Sequence, residues 1–120
     1  MEQEDSEEQA IEDILDTIGD ERARQVLATL GEGSKSAKEI GERLDLSLPT
    51  VYRRLELLDE HELVKSQQVV AEDGTHYRQY ECNFDSTVIR LQDDEYDVRI
   101  YRTDSLPDRF STLWDELGRE

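Results

Sequence analysis

The sequence predicts an α+β fold, with helices in its first half and β-hairpins in its second half. Up to about residue 60, apolar residues recur three or four positions apart, as on one face of a helix. From residue 63 the apolar spacing shortens towards two, which indicates strands. Turn signals at 72–75 and 93–95 divide this part into two hairpins. Helical spacing after Ser105 predicts one last helix.

Each of the four helices predicted in the first half begins at a residue that commonly caps helix N-termini. These residues are Ser6, Asp20, Ser36 and Ser47. Ser6 and Ser36 are followed three positions later by Gln9 and Glu39, which completes the capping-box pattern. The helices are therefore expected over residues 6–18, 20–30, 36–44 and 47–60.

The composition excludes several classes of protein. The chain has 120 residues, with 31 acidic and 14 basic side chains and a net charge of −17. No stretch approaches the ~20 apolar residues of a membrane span, and the acidic N-terminus lacks the apolar run of a signal peptide. A single cysteine, Cys82, excludes an intramolecular disulfide and a CxxC metal site. We therefore expect a soluble cytoplasmic protein with no membrane partner.

The basic side chains are unusual in kind, because eleven are arginines and only three are lysines. Excess acid with little lysine is what we expect of a protein that works in molar salt. Charge repulsion is screened within about 3 Å there, and carboxylates hold water and cations well. An acidic protein from ordinary salt is the alternative.

The charge is unevenly distributed along the chain. Residues 35–80 carry seven basic and nine acidic side chains, whereas 1–34 have a net charge of −9 and 81–120 of −6. Within the middle segment, 46–55 contain two arginines and 63–71 one lysine, and neither stretch contains an acid. If the protein binds a polyanion, these two stretches are the expected contact regions, because they contain no acidic side chain that would repel it.

The third and fourth predicted helices form a helix-turn-helix pattern. About three residues join them and a hairpin follows, as in the winged form of this motif. Small side chains at Ala37 and Gly41 allow the two helices to cross closely. At 100° per residue, Arg53 points away from the apolar side of the fourth helix. The residues at helical spacing on that apolar side are Leu48, Val51, Leu55 and Leu58.

These two helices resemble archaeal winged helix-turn-helix transcriptional regulators of the ArsR/PadR-like kind. The resemblance is carried by Ser-Ala-Lys-Glu-Ile-Gly at 36–41, Leu-Pro-Thr-Val-Tyr-Arg-Arg-Leu at 48–55 and Leu-Val at 63–64. The acidic, lysine-poor composition and Arg-Phe-Ser-Thr-Leu-Trp at 109–114 resemble a small haloarchaeal group. The resemblance implies a homodimer on a pseudo-palindromic promoter site and a role in stress response. Metal-sensing ArsR members place a cysteine pair near the start of the recognition helix, but 46–48 contain no thiol, so metal sensing is not implied.

The predicted contacts with double-stranded DNA lie in the third helix, the fourth helix and the first hairpin. Arg53 is expected to read bases, because arginine can bind guanine bidentately in the major groove. Lys38, Arg54 and Arg78 are expected mainly to position phosphates. Ordinary solvent-exposed side chains on a helix and a hairpin are the alternative. The full set is Ser36, Lys38, Ser47, Pro49, Thr50, Tyr52, Arg53, Arg54, Lys65, Gln67, His76 and Arg78.

Two terminal apolar faces predict a homodimer, because a small winged-helix core cannot cover both. Their residues are Ile11, Ile14, Leu15 and Ile18 in the first helix, and Phe110, Leu113, Trp114 and Leu117 in the last. Residues 1–5 are expected to be disordered and 6–84 to form the winged DNA-binding domain. Residues 85–120 are expected to add the second hairpin and the dimerisation helix to the same domain.

The sequence shows no catalytic motif and no cluster of metal ligands, so we expect no enzyme, no metal and no cofactor. Cys82 is expected to be a buried, inert thiol, with oxidant sensing as the alternative. The leading interpretation is a sequence-specific DNA-binding regulator, with salt cations taken up at the DNA interface. The alternative is a winged-helix subunit of a transcription complex without its own DNA specificity, which the charge of −17 favours at ordinary salt.

Overall fold

A computed structural model describes the backbone of residues 2–102 and the side chains of residues 8–102. The chain divides into two compact units, Met1–Asn83 and Phe84–Glu120. The sequence predicts nearly this boundary, but within a single domain. Within residues 2–102, the two strands that follow Asn83 pair with each other and not with the sheet of the first unit.

The first unit contains four helices. They are α1 (Glu2–Gly19), α2 (Glu21–Leu30), α3 (Ala37–Leu44) and α4 (Leu48–Glu60). The predicted N-caps Asp20, Ser36 and Ser47 are confirmed, since each side chain accepts a backbone N–H bond from its own helix. The start of α1 differs from the prediction. It begins at Glu2, inside the segment expected to be disordered, and passes Ser6 without a break, because glutamate and glutamine are good helix formers.

A three-stranded antiparallel sheet completes the first unit, in the order β1-β3-β2. Its strands are β1 (Lys35–Ser36), β2 (Val64–Val70) and β3 (His76–Cys82). The predicted turn between β2 and β3 is confirmed, with Gly74 at φ +87°, where a residue without Cβ is favoured. The sequence does not predict β1, because two residues carry no periodic signal. β1 pairs Lys35 with Tyr80 of β3.

The core of the first unit lies between α2, α3, α4 and the start of β2. Its largest fully buried side chains are Ile40, Leu58, Leu63, Val26 and Val51. Burial confirms Val51, Leu55 and Leu58 as the row that anchors α4. Leu48 does not belong to this row, because it stands at the first position of α4, before the buried stretch, and is 45% exposed. The buried row fixes which face of α4 points outward.

The second unit is described over residues 84–102, where it forms a two-stranded antiparallel ribbon. Its strands are β4 (Ser86–Gln92) and β5 (Glu95–Tyr101). The acidic turn is confirmed, and β4 begins two residues before the predicted Val88. The predicted last helix, with Phe110, Leu113, Trp114 and Leu117, lies outside the described residues. Across residues 2–102, no helix is long and apolar enough to cross a lipid bilayer.

Candidate nucleic-acid interface

The turn between α3 and α4 is closed by backbone bonds to Gly41. The N–H groups of Asp45 and Leu46 both donate to the Gly41 carbonyl, the second at 2.9 Å. Asp45 adopts the left-handed conformation at φ +56°, which reverses the chain after α3. A Cβ on Gly41 would lie 2.9 Å from the Leu46 carbonyl oxygen, so only glycine fits. The same Cβ would lie 3.6 Å from Val51 Cγ2 of α4, so α3 packs against both the turn and α4 at this glycine.

The N-terminus of α4 is held by Ser47 and Thr50. The Ser47 hydroxyl accepts the Thr50 N–H at 3.4 Å and lies 2.9 Å from the Thr50 hydroxyl. Pro49 stands in the first turn, where its missing N–H has no helical partner to lose. The first turn contains no acidic residue, so no negative side chain there offsets the positive end of the helix dipole. Such an end suits a phosphate.

Arg53 lies on the exposed face of α4, opposite the buried row. Within residues 8–102 its guanidinium makes no hydrogen bond or ion pair with another side chain. Pro49 and Tyr52 on the same helix are also exposed, and Tyr52 has an exposed fraction of 52%. An exposed arginine beside small and aromatic side chains can enter a major groove and reach base edges.

Arg54 does not share that exposed face. Its Nε donates to Asp20 Oδ2 at 2.8 Å, and its side chain is only 22% exposed. The same oxygen accepts the N–H of Ala23 at 2.9 Å. The Ala23 bond is the main cause that lowers the pKa of Asp20; burial opposes it, and Arg54 lowers the pKa further. Arg54 thus ties α4 to the start of α2, and its predicted contact with a phosphate stays a prediction.

Two of the predicted contacts lie at the start of α3. The Ser36 hydroxyl accepts the Glu39 N–H at 3.2 Å, and the Ser36 N–H donates to the Glu39 carboxylate at 3.1 Å. This capping box uses the Ser36 side chain within the helix itself. Lys38, in the first turn of α3, is exposed. Of the two, Lys38 is the side chain better placed for a phosphate.

The wing, formed by β2 and β3, divides its predicted contacts between two faces. Side chains alternate along a strand, so Lys65 and Gln67 share one face, whereas His76 and Arg78 share the other. All four are exposed. Lys65 lies 3.6 Å from the Glu81 carboxylate, and Arg78 donates to the Ser66 hydroxyl at 3.0 Å. The four residues therefore do not form one basic patch.

Tyr80 indicates which face of the wing looks towards α4. Burial raises the pKa of the Tyr80 phenol; the nearby Tyr52 and Asp59 of α4 raise it further, whereas Arg78 opposes this. Tyr80 shares its strand face with Arg78. Arg78 and His76 thus share the strand face of the buried Val64, and Lys65 and Gln67 lie on the other face of the wing.

Two features of this site are not apparent from the sequence. Leu48 and Tyr52 leave an exposed apolar patch beside Arg53, although Leu48 fits the spacing of the buried row. Asp20 lies 34 positions before its partner Arg54, and no local pattern predicts such a pair. Among residues 8–102 there is no group of three or more His, Cys, Asp or Glu side chains that could hold a metal ion. The single cysteine of the chain, Cys82, is half-buried.

Comparison with known families agrees with this geometry. Residues 18–67 match a family model described as a helix-turn-helix domain. The match runs from the end of α1 through the first residues of β2, and it includes the whole of α3 and α4. No curated protein matches the chain. The match covers less than half of the chain; helix-turn-helix domains occur in DNA-binding transcription regulators, so it supports a protein of that kind.

Proposed function

We propose that the protein is a sequence-specific DNA-binding regulator that acts as a homodimer on a pseudo-palindromic promoter site at high salt. The observation that carries this proposal is the helix-turn-helix itself, with Arg53 exposed on α4 and opposite the buried anchoring row. Arg53 inserts into the major groove and reads a guanine. Pro49, Thr50 and Tyr52 line the same groove.

Phosphate contacts surround the base-reading helix. Lys38 at the start of α3 and Arg78 on the near face of the wing supply exposed positive charge on either side of α4. The positive end of the helix dipole at the N-terminus of α4 also attracts a phosphate. Three further wing residues contribute more weakly to phosphate binding: Lys65, Gln67 and His76. The charge of Lys65 is partly offset by Glu81, which lies 3.6 Å away.

The homodimer is supported by the apolar face of α1. Ile11, Ile14, Leu15 and Ile18 are each only half-buried in the single chain. A second copy would cover them and, by two-fold symmetry, place two recognition helices about 34 Å apart in successive major grooves. Phe110, Leu113, Trp114 and Leu117 form the other part of this proposed interface.

Salt cations form part of the proposed DNA interface. Exposed carboxylates flank the docking face at Glu39, Glu42, Glu56, Glu72 and Asp73. These groups meet phosphate across a narrow gap, which is tolerable when cations enter between the two surfaces. The lysine-poor composition with a net charge of −17 supports a haloarchaeal protein adapted to such conditions, and the family resemblance supports a role in stress response.

The proposal is tested by selecting duplexes from a random pool with the purified protein in molar KCl. A sequence-specific dimer should enrich one motif with two related half-sites, about one helical turn apart. No enrichment over the input pool would contradict DNA specificity. That result would favour the alternative, a winged-helix subunit that binds another protein, for which the net charge of −17 is the supporting observation.

A further inference from the structure

Leu48 is a large apolar side chain that stays exposed at the start of the recognition helix. It occupies the first position of α4 and is 45% exposed, whereas Val51, three positions later, is fully buried. A single exposed leucine is ordinary on a protein surface. This one, however, stands at the end of the helix that the proposed function places in the major groove, where N-terminal residues reach base edges.

The surroundings of Leu48 hold it in a fixed position. Ser47 caps the helix on one side by accepting the Thr50 N–H, and Pro49 on the other side has a fixed backbone φ. Helical side chains tilt towards the N-terminus of their helix, so Leu48 projects from the leading end of α4. Tyr52 is its neighbour one turn later and is 52% exposed. The two side chains form an apolar patch about 6 Å long.

The chemistry of leucine restricts which base edge it can recognise. The major groove contains one apolar group, the 5-methyl group of thymine. Leucine has no hydrogen-bond donor or acceptor, so against the N7, O6 or amino groups of other bases it would bury a polar atom without a partner, which lowers affinity. Against the methyl group it removes apolar surface from water on both sides. A leucine at this position therefore discriminates in favour of thymine.

We propose that Leu48 is a specificity-determining residue that contacts a thymine methyl group, close to the guanine assigned to Arg53. This inference rests on the proposed function and deepens it, because it assigns a second base to the same helix. Leu48 precedes Arg53 by five residues, or about 7.5 Å along the helix. That distance spans about two base pairs of B-DNA. The selected half-site should therefore contain a thymine about two base pairs from the guanine.

Deoxyuridine provides a direct test, because it lacks only the methyl group of thymine and keeps the same hydrogen-bonding edges. Each thymine in one half-site of the selected duplex is replaced in turn, and the affinity of the protein is measured in molar KCl. For the wild type, one of these replacements should lower the affinity about four-fold. For Leu48→Ala, the same replacement should change the affinity little, because the side chain that covers the methyl group is gone.

Ile89→Ala is the matched control. Ile89 lies in β4 and is 48% exposed, so the change removes an apolar side chain of similar exposure outside the helix-turn-helix. This variant should keep the four-fold effect of deoxyuridine. Leu48→Ala should have an unfolding free energy close to that of the wild type, since truncation of an exposed side chain removes little packing. Its altered DNA preference would then not come from unfolding.

Selection from the random pool provides a second measurement. With Leu48→Ala, the enriched motif should keep its guanine and lose its preference for the nearby thymine. No enrichment by the wild type would overturn the proposed function and this inference together. A wild-type motif without a thymine near the guanine would overturn this inference alone. So would a methyl group whose loss lowers the affinity of wild type and Leu48→Ala equally, because another residue would then contact it.

Discussion

Arg54 and Asp20 join the recognition helix to the start of α2, with Arg54 Nε 2.8 Å from Asp20 Oδ2. Asp20 caps α2 through the same oxygen, which also accepts the Ala23 N–H. One carboxylate oxygen therefore fixes both the beginning of α2 and the side of α4 next to the exposed face that carries Arg53. The orientation of Arg53, one residue before Arg54, depends on this contact and on the buried row beneath it.

A double-mutant cycle should reveal this coupling. Asp20→Asn keeps a residue that can cap a helix and removes the charge, while Arg54→Met keeps much of the side-chain volume. Because both side chains are partly exposed, we expect a coupling of about 0.5–1 kcal/mol in the free energy of unfolding, measured by denaturant at molar KCl. If the losses of unfolding free energy in the two single variants simply summed to the loss in the double variant, a direct interaction between Asp20 and Arg54 would be contradicted.

The contribution of Asp20 should depend on pH in a defined direction. Its pKa is lowered from 3.8 in the folded chain, so the folded state favours the ionised carboxylate. That contribution is fully present above the unfolded pKa and is lost as the pH falls through the lower, folded pKa. The difference in unfolding free energy between wild type and Asp20→Asn should therefore be constant at neutral pH and shrink below about pH 4. If the difference in unfolding free energy between the two proteins grew in acid, the pKa of Asp20 would be raised by folding and not lowered.

Gly41 should tolerate no side chain. Gly41→Ala would bring a Cβ to 2.9 Å from the Leu46 carbonyl oxygen, which is backbone and cannot rotate away. We expect a loss of about 1–3 kcal/mol in the free energy of unfolding, together with weaker DNA binding from a displaced α4. Gly19→Ala is the matched control, because nothing lies within 4 Å of its added Cβ, and its effect should be small. Equal stability of the two variants would contradict the close helix crossing.

The salt dependence of DNA binding should be unusual. An ordinary DNA-binding protein releases cations from the phosphates, so its affinity falls steeply as salt rises. The proposed uptake of cations beside Glu56 and Glu72 would offset that release, so the slope of log affinity against log[KCl] should be shallow or positive between moderate and molar salt. Glu56→Gln or Glu72→Gln should move the slope towards negative values. A steep negative slope for the wild type across this range would rule out cation uptake but not DNA binding.

The sequence predicts the local features of this fold well. The caps at Asp20, Ser36 and Ser47 and the turn at Gly74 follow from short patterns, because each is decided within a few residues. The start of α1 is an exception, since a capping pattern at Ser6 does not stop a helix that can begin earlier.

Features that depend on distant parts of the chain are harder to predict. The two-residue β1 exists because β3 pairs with it, and the bond between Arg54 and Asp20 joins residues 34 positions apart. The spacing of Leu48 agrees with the buried row, yet its position at the first residue of α4 leaves it exposed. Periodicity gives the direction of a side chain on its helix, but not how far the core extends beneath it.

Arg53 gives the most direct test of the central claim that the exposed face of α4 reads DNA. The measurement is the affinity of wild type and Arg53→Ala for the selected duplex and for a scrambled duplex in molar KCl. We expect Arg53→Ala to lose about 1–3 kcal/mol on the selected duplex and to bind the two duplexes more nearly alike. Lys38→Ala is the control, and it should weaken binding to both duplexes equally. If Arg53→Ala bound the selected duplex with the affinity and preference of the wild type, the proposed docking face would be wrong.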